Sequence, residues 1–278
     1  MDFSWTYWRI NHDVLIGLLL LEGLYLMAVG PVSRYFSYKD SSGATKWQVT
    51  AFTLGVGLFF IADNGPLHDL SEQFLFSAHM TQHVLLTLIV PPLLLIGLPR
   101  GFIKPFLRIK GFLLVARFLT RPIIAFALFN AIFAVWHLPR LYGATLDVHA
   151  IHIFEHLLFI STSVVMWFPI LSPFPEIPRP RRIVQMLYLF MLPIAQLVVF
   201  APITFSNTVI YSFYAEAPRL WDSVPLLDQQ LGGAIMKVAS SIIFLIFLAV
   251  VFFKWFNESE GLISDEPDDE NISAEDAE

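Results

Sequence analysis

Four of the eight histidines in this chain of 278 residues form two pairs with the spacing of an α-helix. His79 and His83 are four residues apart, and so are His152 and His156. Side chains at this spacing lie on one face of a helix, so each pair can direct two imidazoles to one point. Imidazole is a good ligand for copper, zinc and iron. The two pairs therefore predict a metal or haem site that two helices share.

Other polar residues are candidates for the same site. Only eleven residues separate His137 from His149, so the two apolar segments that carry them are expected to form a hairpin with neighbouring ends. We therefore expect His137 to assist the paired histidines. A ligating histidine usually needs a hydrogen-bond acceptor for its second ring nitrogen. The candidates for this auxiliary role, or for the edge of the site, are Glu72, Gln82, His149, Glu155 and Asp228.

Each of these features also has an ordinary structural explanation. A single histidine pair can serve interfacial packing or hydrogen bonding, and the second pair together with His137 is what favours a metal. His12 and His68 are expected to be solvated or interfacial. Asp228 can cap the helix that follows it, or it can face the histidine cluster across the bundle. The methionines are expected to pack in the apolar core rather than to bind copper.

The composition is that of a protein that crosses a membrane several times. Hydrophobic residues make up 56% of the chain and charged residues 14%, whereas soluble domains average about 25% charged residues. Long apolar runs recur along the whole length, which predicts an all-α, polytopic bundle of seven transmembrane helices. The expected spans are approximately residues 14–32, 47–62, 78–98, 122–137, 149–171, 184–204 and 234–256. No cleavable signal peptide is expected, and the absence of cysteine excludes thiolate ligands.

Lysine and arginine are divided unequally between the two ends of this bundle. Thirteen of the seventeen lie in the loops after the first, third and fifth spans or at the end of the seventh. The positive side of a membrane protein is usually cytoplasmic. We therefore expect the N-terminus outside and the C-terminus in the cytoplasm, which puts all eight histidines at or near the outer face.

The end of the chain differs in composition from the rest. Residues 257–278 hold ten acidic side chains and no lysine or arginine. Repulsion between these charges and the lack of apolar anchors predict a disordered cytoplasmic tail. Residues 1–256 are expected to form one transmembrane domain, which is basic although the whole chain has a net charge of −6. Membrane lipids are expected partners, and nucleic acid is not.

Several short motifs follow one another along the chain. They are HMTQH at residues 79–83, PPLLLIGLP at 91–99, WHLP at 136–139, the His152/His156 pair with the later Trp167, YSFY at 211–214, and DQQLGG at 228–233. This series resembles the membrane CtaG family of cytochrome c oxidase assembly factors. The resemblance covers about residues 50 to 256 and leaves out the first span and the acidic tail.

The resemblance implies a function in the bacterial cell membrane. Members are linked to the production of active haem–copper oxidase, usually interpreted as copper supply to that enzyme. Cytochrome c oxidase subunits are thus the implied partners. The positions that match the motifs, and that the resemblance implies to be functional, are His79, His83, His137, His152, His156 and Asp228.

The residues and the resemblance together favour a copper carrier without enzymatic activity. In this hypothesis the two histidine pairs hold copper, His137 assists, and ligand exchange passes the metal to the oxidase. Three other classes stay open. A seven-helix membrane zinc hydrolase would use a zinc-bound water with a carboxylate base. A haem-binding membrane protein would use axial histidines from two helices, and a structural membrane partner would bind no metal.

Overall fold

The computed structural model describes residues 3–6, 8–33 and 43–264, and within these ranges it contains helices, turns and loops but no strand. The α-helices are α1 (His12–Val29), α2 (Lys46–Asp63), α3 (Pro66–Gln73), α4 (Phe76–Val84), α5 (Val90–Gly97), α6 (Phe112–Leu119), α7 (Pro122–Trp136), α8 (Pro139–Asp147), α9 (His149–Leu171), α10 (Arg182–Ala195), α11 (Leu197–Phe205), α12 (Ser212–Glu216) and α13 (Pro225–Ser264). A π-helical turn, Leu85–Ile89, joins α4 to α5.

Five helical segments are long and apolar enough to cross a membrane: His12–Val29, Phe76–Gly97, His149–Leu171, Arg182–Phe205 and Pro225–Glu260. The pair formed by α6 and α7, bent by 73°, would be a sixth. The prediction of an all-helical membrane protein is thus confirmed, and each of the seven predicted intervals contains a helix. In the second interval, α2 carries Lys46, Gln48 and Asp63 and is less apolar than the others. The count of seven spans and their orientation stay predictions.

The central element of the fold is the continuous helix made of α4, the π-helical turn and α5. Pro91 and Pro92 lie in the first turn of α5, where the lost amide donors would leave carbonyls of the preceding turn without partners. The π-helical turn lies at this break and accommodates it. The helix packs against α2, α9 and α13. Trp167 of α9 fixes the depth of this packing, since its indole N–H donates to the carbonyl of Thr87 at 3.1 Å.

Two glycines allow α13 to approach its neighbours closely. A Cβ atom on Gly232 would overlap the ring of Phe76 in α4, and one on Gly233 would overlap Thr204 in α11. The contact places the start of α13 against the part of α4 that carries His79.

The two ends of the bundle differ chemically. The histidine end, as we call it, contains the starts of α1, α4 and α9 together with α3, α8 and α12. The basic end contains the end of α5, the loop between α9 and α10, and the end of α13, where Arg182 pairs with Glu258 at 2.9 Å. Glu258 belongs to α13, which continues to Ser264, so residues 257–264 of the expected tail are helical. Residues 265–278, and Arg34 and Lys39 of the expected positive loop, lie outside the described residues.

Candidate metal centre

The two histidine pairs converge in one buried cluster between α4 and α9. The Nε2 atoms are 2.8 Å apart in the pair His79 and His83, and 3.0 Å apart in the pair His152 and His156. Between the pairs, ring centroids are 5.6 Å apart for His83 and His156 and 5.9 Å apart for His79 and His152. All four residues are at most 5% exposed. Both pairs lie at the same depth because α4 and α9 begin at the same end of the bundle.

Three of the four imidazoles have a polar partner at the second ring nitrogen. The Nδ1 atom of His156 lies 3.1 Å from Asp63 Oδ1, and that of His152 lies 2.6 Å from Glu72 Oε1. The Nδ1 atom of His79 lies 3.2 Å from the hydroxyl of Tyr214. Such partners fix the orientation of metal-binding histidines and keep Nε2 directed at the metal.

These contacts determine which nitrogens carry protons. The carboxylates of Glu72 and Asp63 accept hydrogen bonds, so the Nδ1 atoms of His152 and His156 are the donors. Their Nε2 atoms then face each other with lone pairs at 3.0 Å, an arrangement that is stable only with a proton or a metal ion between them. Two nitrogens that bind one tetrahedral metal at about 2.0 to 2.1 Å are about 3.3 Å apart. The separations in both pairs, 2.8 and 3.0 Å, are those of N–H···N hydrogen bonds, and each pair would open slightly to share a metal.

Glu155 belongs to the centre itself. The ligand atoms of His79, His83, Glu155 and His156 all lie within 4.8 Å of one another, and Glu155 Oε1 is 4.0 Å from His83 Nε2. Both carboxylate oxygens are buried and lack a hydrogen-bond partner among the described residues. An ionised carboxylate in this state is costly unless a cation is close. Glu155, expected only as an auxiliary residue, thus lies among the groups that could hold a metal ion, and His152 adjoins this set through its 3.0 Å contact with His156.

His137 lies at the edge of the cluster. Its ring centroid is 6.0 Å from that of His83. Its Nδ1–H donates to the carbonyl of Phe133 at 2.7 Å, so Nε2 has a free lone pair. That Nε2 atom and Nδ1 of His83 are buried without a partner among the residues described. This arrangement fits the assisting position that the sequence predicts for His137.

Asp228 positions the first pair from a distance. Its carboxylate accepts hydrogen bonds from the backbone N–H of Phe76 at 2.7 Å and of Ser77 at 3.3 Å, and from the hydroxyl of Ser77. It therefore caps α4, which carries His79 and His83, rather than its own helix α13. The sequence offered a cap of the following helix or a contact with the histidines, and the structure instead shows a cap between helices.

The remaining candidates occupy different places. Gln82 donates to Asp63 Oδ1 at 2.7 Å and so supports the partner of His156. His149 is exposed and pairs with Asp13 at 3.2 Å, outside the cluster. His68, expected to be solvated or interfacial, is only 2% exposed and lies 3.1 Å from Glu72. It is not solvated because α3 begins after Gly65, whose φ of 76° turns the chain back over the bundle.

Two groups outside the spans, Glu72 and Tyr214, have shifted pKa values that keep each in the protonation state that its hydrogen bonds to the histidines require. Burial alone would raise the pKa of Glu72, but hydrogen bonds with His152 and His68 lower it well below its usual range. Glu72 is therefore an ionised acceptor at neutral pH. Burial raises the pKa of Tyr214 well above its usual value, so its hydroxyl keeps a proton, which it donates to the carbonyl of Ser71 at 2.6 Å. The phenol oxygen accepts from the hydroxyl of Tyr142 at 3.2 Å and can also accept from Nδ1 of His79.

A cavity of about 440 Å³ leads to the cluster between α1, α2 and α9. Its outer part is lined by Asp13 and His149, and its inner part by Asp63, His152 and His156. Most of the remaining wall is apolar. The cavity gives a small solute or ion a route to the side of the cluster where the two carboxylate-supported histidines lie.

Asp63 is the functional candidate that sequence reasoning missed. It ends an apolar helix, and its contact with His156 joins residues 93 positions apart. A signal was present, since a carboxylate at the end of an apolar segment, directly before Asn64 and Gly65, needs a partner. Nothing in the spacing indicates that the partner is a histidine of α9.

Comparisons with known proteins identify similar chains. A family model described as cytochrome c oxidase caa3 assembly factor (Caa3_CtaG) matches residues 23–258. An uncharacterized protein of Mycobacterium bovis, Mb0105, is 27% identical in an alignment of length 210 that covers 69% of this chain and 32% of that protein. Protein MT0111 of Mycobacterium tuberculosis has the same values. ML1998 of Mycobacterium leprae is 24% identical in an alignment of length 273 that covers 90% of this chain and 40% of that protein.

These curated relatives are much longer than the chain described here, which spans about a third to two fifths of their length. Their names describe them as uncharacterized and give no activity. No solved structure matches this chain at a significant level.

Proposed function

This chain belongs to the family of cytochrome c oxidase caa3 assembly factors, and from that membership we propose that it is a copper carrier of the cell membrane. Copper is its cargo, held at the histidine end of the bundle and supplied to subunits of the oxidase. The carrier performs no chemical conversion. Residues at the opposite, basic end face the cytoplasm, so the cargo is loaded and released on the outer side.

The observation that carries this proposal is a buried set of imidazole and carboxylate groups that converge between α4 and α9, where one cation could bind several of them. Two pairs of Nε2 atoms face each other at 2.8 and 3.0 Å, and the carboxylate of Glu155 beside them has no hydrogen-bond partner among the described residues. A structural hydrogen-bond network would satisfy these atoms. A metal ion satisfies all of them at once.

Each residue has a definite part in the proposed carrier. His79, His83, His156 and Glu155 hold the ion. Asp63, Glu72 and Tyr214 orient the imidazoles through their second nitrogens. His152 and His137 lie on either side of the ligand set and can replace a ligand during transfer. Nitrogen and oxygen donors without thiolate allow an ion to be bound and also released, which a carrier requires.

A membrane zinc hydrolase is the second candidate, and one observation favours it. Three histidines with a carboxylate and an adjoining cavity of about 440 Å³ also resemble a catalytic zinc site in which Glu155 would act as the base. Bound zinc together with hydrolysis of a lipid or peptide bond would favour this candidate. A Soret band in the purified protein would instead favour haem.

Metal analysis of variants tests the proposal. Protein purified without a histidine tag is loaded with copper, and bound metal is measured by plasma mass spectrometry together with an absorption spectrum. The double variant His79→Ala/His83→Ala is expected to lose the bound copper. The matched control His12→Ala/His149→Ala removes two exposed histidines and is expected to keep it. Equal copper content in the wild type and the first variant would reject these ligands.

A further inference from the structure

A second cavity lies at the basic end, far from the histidines. It is open to the surface and has a volume of about 800 Å³. Its floor is apolar and includes Leu95, Ile96 and Leu171 at the ends of α5 and α9. Its rim consists of the loop between α9 and α10 and the first turn of α10. Apolar side chains of the helix ends and charged side chains of the neighbouring loop thus line the same cavity.

Four arginines surround this space: Arg100, Arg179, Arg181 and Arg182. Within the part of the chain that the structure describes, the only carboxylate that pairs with any of them is Glu258, which lies 2.9 Å from Arg182. Among the described residues, four arginines at the cavity therefore have one paired carboxylate. Burial and, to a lesser degree, the positive charge of Arg182 lower the pKa of Arg179.

Two further features direct hydrogen-bonding capacity into the same cavity. The helix α10, 14 residues long, begins here without a side-chain cap, so the amides of its first turn are available to an anion. Gln185 is 1% exposed and donates its amide to the carbonyl of Pro180 at 2.7 Å. Its Oε1 atom has no partner among the described residues. A ligand for this place therefore has an anionic group and a hydroxyl or amine donor.

The rim is formed in advance. The loop from Ser172 to Arg181 contains Pro173, Pro175, Pro178 and Pro180, each of which fixes its backbone φ angle. Ser172 ties the loop together, since its hydroxyl donates to the carbonyl of Ile177 at 2.6 Å and its own carbonyl accepts from Arg179 Nε at 3.0 Å. A preformed site loses little entropy when it binds a ligand.

From these observations we infer that the cavity binds the headgroup of an anionic phospholipid. The phosphate lies among Arg100, Arg179 and Arg181 near the start of α10. A hydroxyl of the headgroup donates to Gln185 Oε1, and the acyl chains follow the apolar floor toward the bilayer. Basic pockets between spanning helices bind acidic lipids in this way. The site is independent of the metal centre and of the proposed carrier function.

Spin-labelled lipids test this inference on the full chain in nanodiscs. The fraction of immobilised label is compared between phosphatidylglycerol and phosphatidylcholine. The wild type is expected to prefer phosphatidylglycerol, and Arg100→Gln/Arg179→Gln/Arg181→Gln is expected to lose on the order of tenfold in that preference. The matched control Arg108→Gln/Lys110→Gln/Arg121→Gln removes the same charge at the same end, outside the cavity, and is expected to keep it. Gln185→Leu is expected to weaken the binding of phosphatidylglycerol more than the binding of phosphatidic acid, which lacks the glycerol headgroup.

Other results would overturn the inference. Equal losses in both triple variants would show diffuse attraction to a charged surface, and no loss in either would show no site. Displacement of the label by inorganic phosphate would identify a site for free phosphate. If the preference for phosphatidylglycerol appears only after residues 265–278 are deleted, acidic residues of the chain itself occupy the cavity. Copper content and the thermal unfolding temperature of the cavity variant, both expected to match the wild type, show that the bundle is intact.

Discussion

Replacing Glu155 by glutamine is expected to affect the metal-free and the metal-bound protein in opposite directions. The carboxylate is 0% exposed, its oxygens have no hydrogen-bond partner among the described residues, and Oε1 lies 4.0 Å from His83 Nε2. Without metal, the carboxylate carries a desolvation cost of several kcal/mol when ionised, whereas a buried amide without partners costs about 1–3 kcal/mol. The metal-free variant Glu155→Gln is therefore expected to unfold at the same temperature as the wild type or higher.

With metal bound, the substitution Glu155→Gln is expected to be unfavourable, because the carboxylate attracts the cation. Two unit charges 4 Å apart interact by about 4 kcal/mol at an effective dielectric constant of about 20. Removal of the carboxylate is therefore expected to weaken metal binding by about 4 kcal/mol, which corresponds to about a thousandfold in Kd. An amide oxygen would replace part of this interaction, whereas a directly bound carboxylate would lie closer to the metal than 4 Å, so the figure gives the order of magnitude for a monovalent ion.

The assay needs one protein preparation and two measurements. Affinity is measured by competition with a chromophoric copper chelator, and stability by tryptophan fluorescence during heating in the presence of excess chelator. Glu22→Gln is the matched control, since Glu22 lies in α1, is partly buried and accepts a hydrogen bond from Thr53 away from the cluster. If Glu155→Gln binds copper as tightly as the wild type, or if Glu22→Gln loses as much affinity, Glu155 is not a ligand and the geometry described above has another cause.

Three further predictions concern the residues that support the centre. Glu72→Gln is expected to lower metal affinity by about 10- to 100-fold while the number of bound ions at saturation stays the same, as measured by calorimetric titration; a lower number would instead make Glu72 a ligand. Asp228→Ala removes the cap of α4 and is expected to lower the free energy of unfolding, measured by denaturation in detergent, by about 0.5–2 kcal/mol. It is also expected to weaken metal binding, because His79 and His83 would be displaced. An unchanged free energy of unfolding would show that the cap contributes nothing. In Gly232→Ala the added Cβ would overlap Phe76, so this variant is expected to be destabilised by about 1–3 kcal/mol. The control Gly57→Ala, whose Cβ meets no neighbouring atom within 4 Å, is expected to be neutral or stabilising. Equal effects of the two substitutions on stability would mean that α13 packs differently.

Local spacing accounts for the parts of the structure that the sequence predicts well. Apolar runs identify each helical interval, because a helix in lipid must satisfy its own backbone. The four-residue spacing of His79 and His83, and of His152 and His156, predicts that each pair shares a face. Both inferences depend only on neighbours along the chain, where helical geometry is fixed.

The parts that the sequence misses depend on contacts between distant segments. Asp63 meets His156 across 93 positions, and Asp228 caps Phe76 across 152. Either carboxylate can be satisfied by its own helix, so a pattern within one helix cannot select the partner. Glu155 is a related case: it adjoins His156 in the sequence, and only the width of the buried face of α9 decides that both residues point into the cluster.

The proton positions define two possible states of the second histidine pair. His152 and His156 each donate a hydrogen bond from Nδ1–H to a carboxylate, so either one shared proton or a metal ion can lie between their two Nε2 atoms. A metal that displaces this proton keeps both carboxylate contacts and adds the unpaired oxygens of Glu155 to its ligands. Metal uptake is thereby coupled to proton release. If the proposed carrier binds copper here, acidification would return the proton to the pair and weaken metal binding, which would provide a means of release.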